Sequence, residues 1–448
     1  MGEKTIEKNA ITEGVIWKQL LIFFFPIMLG TLIQQLYTTV DTIIVGRFVG
    51  KAALASVGGP AAVLSTIVVT FFNGLANGAA VIIAQYYGAK DRKSLHVGLH
   101  TAYLFSIVIS LIVSLVGTVL TPWLLTIMNT PQDMMADSTI YLRIYFMGIL
   151  FTLVYNMGAA IMRAVGDSRR PLLYLLVCCV MNIILDIVMV VGMKMGIAGA
   201  ALATVISQCV SAILVTWSLT RAYDAMKLKF RELRMDARVL KKELKIGVPG
   251  ALQACAYGVT NVVIQASVNS FGTDTAAGWA AYGKLDLIFW TVSSALGAAV
   301  TTFAGQNYGA GKMDRVYKSI RVNVVISYIF TGAIIVILFV FCEPLYHMFT
   351  TDPKVIEIGV YMLRFLIPSY LLSVLLENLS GGLRGLGDVF TFGGLFFVRL
   401  PWIMILTKIH HEVEVLLISY PLAWGGTLLC LIPYYFWRKK KRMKLAGR

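Results

Sequence analysis

The chain has 448 residues, of which 58% are hydrophobic and only 14% are charged. About 25% of the residues in an ordinary soluble domain are charged, so this composition excludes a water-soluble globular protein. The formal net charge of +16 would suggest a nucleic-acid partner in a soluble protein. In so apolar a chain, the positions of the charges are more informative than their sum.

Apolar runs long enough to cross a bilayer recur along the whole chain. A membrane-spanning helix needs about 20 mostly apolar residues. Twelve segments qualify: 19–40, 53–82, 96–121, 139–162, 172–193, 198–220, 246–270, 278–305, 320–342, 359–383, 390–408 and 413–437. The sequence therefore predicts an all-α membrane protein with twelve transmembrane helices. The loops between the spans are short and leave no room for a soluble catalytic or nucleotide-binding domain, so we do not expect an enzyme.

Two halves of the chain carry the same short motifs at an offset of about 221 residues. The repeated motifs are Gln85-Tyr-Tyr-Gly88-Ala89 with Gln306-Asn-Tyr-Gly309-Ala310, and Arg163-Ala-Val-Gly166-Asp167 with Arg384-Gly-Leu-Gly387-Asp388. Each half holds six predicted spans, so both halves begin and end on the same side of the membrane. We therefore expect two six-helix lobes, residues 1–220 and 246–448, related by a pseudo-twofold axis along the membrane normal.

The connection between the two lobes, residues 221–245, is rich in Lys and Arg. Basic residues also gather in alternate loops and at the end of the chain, and the positive-inside rule assigns these segments to the cytoplasm. We therefore expect a multi-pass protein of the cell membrane with both termini in the cytoplasm. The basic connection is expected to form an amphipathic helix on the membrane surface. The lipid bilayer explains the net charge, so no nucleic-acid partner is expected. We also expect no cofactor, and we expect a monomer.

Polar side chains within the predicted spans are the strongest candidates for function. A charge at the bilayer centre costs at least ~2.5 kcal/mol. The candidate acids are Asp41, directly after the first span, and Asp186, Asp286 and Glu377 within their spans. Asp41 shares a helix face with Gln34 and Tyr37 in the first span, and Asn182 precedes Asp186 by one turn in the fifth. Spans four and six add neutral oxygens. The predicted ion site consists of Asp41, Asn156, Asn182, Asp186 and Thr204.

The duplication provides an internal control for this set. Ile264 or Val263 stands at the position in the second half that corresponds to Asp41, and Thr407 at the one that corresponds to Asp186. Groups needed only to hold the fold together would be required in both halves. We therefore predict a proton or cation site in the first lobe, where two carboxylates either coordinate Na⁺ or exchange a proton. No other metal site is expected. The alternative is that Asp41 caps a neighbouring span or pairs with Arg47.

The second lobe has acids of its own, Asp286 and Glu377. Lys284 lies two residues from Asp286, and Arg384 lies two helical turns from Glu377. Ion pairs with these basic residues explain the two acids as well as a second acidic site does. Both interpretations stay open at this point.

Proline occurs within the first span, at Pro26, and at the matching position of the seventh, at Pro249. Proline removes a backbone donor and bends a helix. In the first span the bend lies two turns from Gln34, so Pro26 is a candidate hinge. A static kink shared by both halves is the alternative.

Several motifs, in their order and spacing, resemble the multidrug and toxic compound extrusion (MATE) family, and within it the prokaryotic DinF-like branch. These motifs are Val40-Asp41-Thr42, Gln85-x-x-Gly88-Ala89, Arg163-Ala-x-Gly166-Asp167, Asn182-x-x-x-Asp186 and Gln306-Asn-x-Gly309-Ala310. The likeness covers essentially the whole chain. It implies a two-lobed, twelve-span antiporter that exports organic cations or drugs in exchange for H⁺ or Na⁺. It also implies alternating access by rocking of the lobes.

The resemblance also implies roles for individual residues. The coupling positions of the DinF-like branch match Asp41, Asn156, Asn182, Asp186 and Thr204, and substrate contacts are expected at Gln34, Tyr37 and Asn156. Tyr257 stands where the NorM-like branch has a glutamate, which favours coupling in the first lobe. The alternative function is a flippase for lipid-linked oligosaccharides of the same superfamily. A flippase would place several basic residues along its cavity, and few basic residues lie within these spans.

Overall fold

The computed structural model describes residues 10–222, 224–388, 393–410 and 412–446. These residues form helices and turns and contain no β-strand, which confirms the all-α prediction. The helices are α1 Ala10–Glu13, α2 Ile16–Phe48, α3 Lys51–Ser56, α4 Ala62–Gly88, α5 Arg92–Ile127, α6 Gln132–Ala164, α7 Arg169–Asp186, α8 Gly196–Thr220, α9 Ala237–Ser270, α10 Thr273–Gly309, α11 Met313–Val340, α12 Cys342–His347, α13 Pro353–Leu366, α14 Tyr370–Gly385, α15 Gly393–Ile409 and α16 Val413–Ala446. Shorter segments are the π-helical turns Val57–Ala61 and Ile187–Gly192 and the 3₁₀ turns Asp224–Met226, Phe230–Glu232 and Ile367–Ser369.

Ten helical segments in the described part of the chain are long and apolar enough to cross a membrane. The other two predicted spans lie on α9, which begins with a charged turn, and on α15, which is 17 residues long. The outer face of α5 shows what surrounds such helices. Leu111, Leu115 and Val119 are 53%, 69% and 64% exposed. Side chains of this kind are stable on a protein surface when lipid rather than water covers them.

The described residues belong to two compact units. The N unit is Phe25–Ala251, and the C unit combines Met1–Phe24 with Leu252–Arg448. Two long helices, α2 and α9, therefore contribute their first part to one unit and the remainder to the other. In both helices this change falls close to a proline, Pro26 or Pro249. The predicted lobes instead divide the chain at the basic connection, and their limits stay a prediction.

Within the basic connection, residues 224–236 do not form the expected amphipathic helix, whereas residues 237–245 are the first turns of α9. Backbone N–H groups that a helix would use internally are taken by side chains of α5. His100 Nε2 accepts from the Lys229 N–H at 3.1 Å, and Thr101 Oγ1 accepts from the Asp236 N–H at 3.1 Å. The segment therefore follows two 3₁₀ turns along the end of α5, within the N unit.

Close helix packing in the N unit fixes the elements that carry the predicted site. Gly148 on α6 faces Val205 on α8, and a Cβ at this glycine would lie 2.3 Å from Val205 Cγ1. Any larger residue would push the two helices apart, because protein interiors are close-packed. The contact holds α6 and α8, which carry Asn156 and Thr204, in one register.

A fully bonded asparagine stands at the centre of the C unit. Asn378 on α14 is 1% exposed, and its Oδ1 accepts from Asn323 Nδ2 and from Ser327 Oγ. Its Nδ2 donates to the Val374 carbonyl at 2.7 Å. Because every polar atom of this amide has a partner, the group stabilises the contact between α11 and α14 at no desolvation cost.

Candidate functional site

Two carboxyl groups predicted from the sequence lie together inside the N unit. Asp41 is on α2 and Asp186 is the last residue of α7, and they are 7% and 0% exposed. Their carboxyl groups are close enough to interact electrostatically. Two like charges so near each other in a buried place are unfavourable unless a positive particle joins them. The arrangement is suited to holding a positive particle between two acids.

No fixed donor compensates this carboxyl pair. Among the described residues, no group donates a hydrogen bond to Asp41 Oδ1 or to either oxygen of Asp186. Asn182, one turn before Asp186, is fully buried, and neither its amide oxygen nor its nitrogen has a partner. Buried polar groups in native proteins are nearly always bonded, and each unbonded one costs about 1–3 kcal/mol. Such a concentration of unbonded groups indicates a site for a ligand.

The backbone next to Asp186 is irregular. The α-helical part of this segment ends at Asp186, and the π-helical turn Ile187–Gly192 follows directly. Such turns are frequent at functional sites. Thr204 on α8 is 7% exposed, and its hydroxyl donates to the Ala200 carbonyl at 3.1 Å. The donation leaves the oxygen lone pairs of Thr204 able to accept a hydrogen bond or to coordinate a cation.

Tyrosine side chains flank the carboxyl pair, and sequence reasoning missed two of them. Tyr141 on α6 is 8% exposed and lies close to both Asp41 and Asp186. Tyr145, one turn later, stacks on Tyr141 with ring centroids 6.3 Å apart. Tyr37, which was predicted, lies close to Asp41 and Tyr145. The signal in the sequence is a pair of tyrosines four residues apart on a predicted span.

Two predicted residues lie farther along their helices. Asn156 is half-buried on α6, about four turns after Tyr141, which corresponds to about 22 Å of helix. Gln34 is exposed on α2, about two turns or about 10 Å before Asp41. The structure groups neither residue with the carboxyl pair, so their contacts with a substrate stay a prediction. Pro26 lies within α2, and its role as a hinge also stays a prediction.

Comparison with known proteins identifies the family to which this architecture belongs. The MatE family model matches residues 26–188 and 249–406, which is more than half of the chain. The chain belongs to the MatE family. MatE proteins are transporters and not enzymes, and their fold has twelve helices in two lobes. The recognition and the twelve-helix fold class predicted from the sequence are therefore confirmed.

Individual relatives of this MatE protein cover nearly its whole length. The probable multidrug resistance protein YoeA of Bacillus subtilis (strain 168) is 28% identical over 96% of each chain. A second protein of that organism, the probable multidrug resistance protein YpnP, is 32% identical over 79% of each chain. Among solved structures, a MATE protein in the bent conformation has a TM-score of 0.91 at 20% identity and covers 99% of this chain and 100% of its own. The straight conformation has a TM-score of 0.87 at 20% identity, with the same coverage.

The C unit of this MatE protein surrounds its first acid with donors. Asp286 on α10 is half-buried, and its carboxylate accepts from the Tyr370 hydroxyl and, at 2.9 Å, from Trp290 Nε1. The Tyr370 hydroxyl is also bonded to that of Tyr282 at 2.8 Å. Lys284 is exposed and forms no recorded ion pair with Asp286 in the described part of the chain. Aromatic donors, rather than the lysine considered from the sequence, bind this carboxylate.

The other C-unit acid is paired with a basic residue. Glu377 Oε1 on α14 lies 3.8 Å from Arg384 Nη2, which is the ion pair considered from the sequence. Arg399 on α15 is 3% exposed, sits 3.5 Å from the ring centroid of Tyr420, and adds positive charge near Asp286. Asp286 and Glu377 therefore both have donors or cations supplied by the chain itself.

Proposed function

We propose that this MatE protein exports organic cations, including drugs, by antiport with H⁺ or Na⁺, and that Asp41 and Asp186 form the coupling site. The names of its relatives as multidrug resistance proteins support a small organic substrate. The observation that carries the proposal is the buried carboxyl pair that lacks a fixed donor or cation. Asp286 and Glu377, which have partners of their own, are not part of the proposed site.

The carboxyl pair can exchange one positive particle for another. With one shared proton the pair has a net charge of −1, and a further cation neutralises it. Sodium would take oxygens from Asp41, Asp186, Asn182 and Thr204 in place of the proton. Because an uncompensated charge is costly away from water, the lobe favours states in which an ion or an organic cation is bound. Loss of one positive particle therefore promotes binding of the other, which is the linkage that antiport requires.

The substrate would bind beside the pair, along α2. The aromatic face of Tyr37 suits a cationic ligand, and Gln34 and Asn156 offer hydrogen-bonding groups at greater distance from the acids. A bend at Pro26 would change the side from which this part of the helix is accessible, which is the proposed basis of alternating access. The bent and straight conformations described for a MATE protein of similar fold support two such states.

Reconstitution into proteoliposomes tests the proposal. The wild-type protein is expected to move a fluorescent organic cation when a pH or sodium gradient is imposed, and the Asp41→Asn variant is expected to fail. Matching thermal unfolding of the two proteins is the control for folding. Gradient-driven transport by Asp41→Asn would overturn the site, and wild-type transport indifferent to both gradients would overturn antiport. Movement of a lipid-linked oligosaccharide instead would establish the flippase alternative.

A further inference from the structure

Glu243 on α9 is a buried acid outside the proposed coupling site. It belongs to the charged connection at 221–245, yet it is 3% exposed. Neither of its carboxylate oxygens has a hydrogen-bond partner among the described residues, and its burial is not offset by a nearby charge. The neighbouring titratable side chains are Arg238, Lys241, Lys242 and Lys245 on α9 and Tyr86 and Tyr87 on α4. Lys241, Lys242 and Lys245 are exposed, and Lys242 Nζ donates to the Tyr86 hydroxyl at 3.3 Å.

The burial of Glu243 results from a seam in which α4 and α9 touch backbone to backbone. This α4–α9 seam consists of Gly74, Gly78, Gly247 and Ala251. A Cβ on Gly78 would lie 2.4 Å from the Cα of Gly247 and 2.6 Å from the carbonyl oxygen of Glu243. A Cβ on Gly74 would lie 2.3 Å from the Cα of Ala251. Helices in such contact leave the carboxyl group of Glu243 without access to water.

The matching helix of the other half shows what the position requires for packing. Pro26 in α2 corresponds to Pro249 in α9, and the same offset matches Glu243 with Leu20. Leu20 is fully buried within the C unit. The position therefore needs only an apolar side chain. An ionised carboxylate in a leucine's place would be desolvated without compensation, so the glutamate fits there only as the neutral acid.

We propose that Glu243 is a further proton-binding residue of this transporter, outside the coupling site. Glu243 keeps its proton while the α4–α9 seam is closed and releases it when the two helices separate. On release the O–H bond of the carboxylic acid breaks, the proton passes to water and the carboxylate becomes hydrated. The basic loops assign this end of α9 to the cytoplasm, so the proton is exchanged on that side. Acid therefore favours the closed seam and alkali opposes it.

The electrostatics of the site agree with its geometry. Glu243 precedes the predicted apolar span 246–270, and burial raises the pKa of its carboxyl group to about 8. A group with a raised pKa binds its proton more tightly in the folded protein than in the unfolded chain, so stability falls as pH rises. The fall begins near the ordinary glutamate pKa of about 4.3 and ends near the raised value. Within that window the melting temperature should fall by about 2 °C per pH unit.

The test compares thermal unfolding of the purified full-length protein between about pH 5 and about pH 8. Glu243→Gln keeps the shape of the neutral acid and cannot titrate, so its melting temperature should rise relative to wild type by about 2 °C for each pH unit. Glu357→Gln, at an exposed glutamate of α13, is the matched control and should follow the wild-type slope. The infrared difference between wild type and Glu243→Gln at neutral pH should contain the C=O band of one protonated carboxylic acid.

Parallel melting profiles for wild type and Glu243→Gln, or infrared spectra without that band difference, would overturn the proposal. Should Glu243→Gln fail to fold, Glu243→Leu places the residue of the matching α2 position in the seam and provides the same comparison. Neither measurement involves transport. Failure here would leave the proposed antiport intact, and failure of the Asp41→Asn transport test would leave the titration of Glu243 standing.

Discussion

The two compact units treat their buried acids in opposite ways. In the N unit, Asp41 and Asp186 have each other and no fixed donor. In the C unit, Asp286 accepts hydrogen bonds from Tyr370 and Trp290. The chain therefore provides the C-unit acid with its own partners, whereas the N-unit acids must take a positive particle from outside. The two halves of the duplicated fold therefore differ: the chain itself supplies hydrogen-bond donors to Asp286, whereas Asp41 and Asp186 need a bound ion.

Two buried asparagines repeat the contrast. Asn378 in the C unit uses both its amide oxygen and its nitrogen in hydrogen bonds, whereas neither atom of Asn182 in the N unit has a partner. Both residues are at most 1% exposed, so burial alone does not separate them. The two residues differ in whether their amide atoms have hydrogen-bond partners. This difference distinguishes a structural amide from one that is available to a ligand.

The largest expected effect comes from the N-unit carboxylates. Asp41→Asn should reduce gradient-driven transport by about 100-fold, because an amide neither carries the exchanged proton nor neutralises a cation, and coupling between two ligands is worth up to about 3 kcal/mol. Asp286→Asn is the matched control and should leave transport within about threefold of wild type, since an amide oxygen still accepts a hydrogen bond. Transport assays in proteoliposomes decide the outcome. Equal losses in the two variants would remove the contrast between the units.

Alanine substitutions at the two asparagines should have different effects, one on stability and the other on transport. Asn378→Ala leaves buried donors without their acceptor and should lower the free energy of unfolding by about 2–3 kcal/mol. Asn182→Ala removes unbonded atoms, so it should change stability by less than about 1 kcal/mol while reducing transport. Chemical unfolding in detergent and transport in vesicles measure the two effects. A large stability loss in Asn182→Ala would mean that this amide has a structural role.

A smaller effect is expected from the tyrosine hydroxyl beside the pair. Tyr141→Phe should lower transport about fivefold, because it removes a hydroxyl beside the carboxyl pair, where one polar contact with the exchanged ion is worth about 1 kcal/mol. Tyr346→Phe removes a hydroxyl that donates to the Gly278 carbonyl in the C unit. This control should lose a similar amount of stability and keep its transport rate. Initial rates under the same gradient provide the comparison, and unchanged transport in Tyr141→Phe would exclude its hydroxyl from the site.

The smallest expected effect concerns a helix cap that differs between the two halves. Asp91 Oδ1 accepts from the Ser94 N–H at 3.0 Å at the start of α5, whereas its counterpart Lys312 provides no side-chain cap to α11. Asp91→Ala should lower stability by about 1 kcal/mol. The bonds from Ser94 lower the pKa of Asp91, so the contribution is present above the ordinary aspartate pKa of about 3.9 and is lost as pH falls. Asp91→Asn should keep the cap without that pH dependence, and thermal unfolding against pH checks both variants.

Features that depend on local pattern were predictable from the sequence. Apolar runs and repeated motifs indicate spans and duplication directly, which is why the fold class was predicted correctly. The proximity of Asp41 to Asp186 was also predictable in outline, because the second half replaces them with Ile264 or Val263 and with Thr407. A charged residue within a span needs a partner or a ligand, so its loss from one half is informative without any coordinates.

Features that depend on distant packing were not predictable in this way. Tyr141 is one of 20 tyrosines in the chain, and only its position beside the carboxyl pair distinguishes it. Glu243 stands among lysines and has the pattern of a solvated residue, but glycines of α4 bury it. The connection at 221–245 has the composition of a surface helix, yet hydrogen bonds to His100 and Thr101 hold its residues 229 and 236 in another conformation.

Ion-linked binding to the purified protein tests the central claim, that the N-unit carboxyl pair holds an exchangeable positive ion. The affinity for a fluorescent organic cation would be measured while proton and sodium concentrations are varied separately. For wild type and Asp286→Asn, affinity should fall as one of the two ions rises, because linked binding is reciprocal. Asp41→Asn should bind with an affinity that neither ion changes. Full ion dependence in Asp41→Asn would contradict the assignment of the coupling site to this pair.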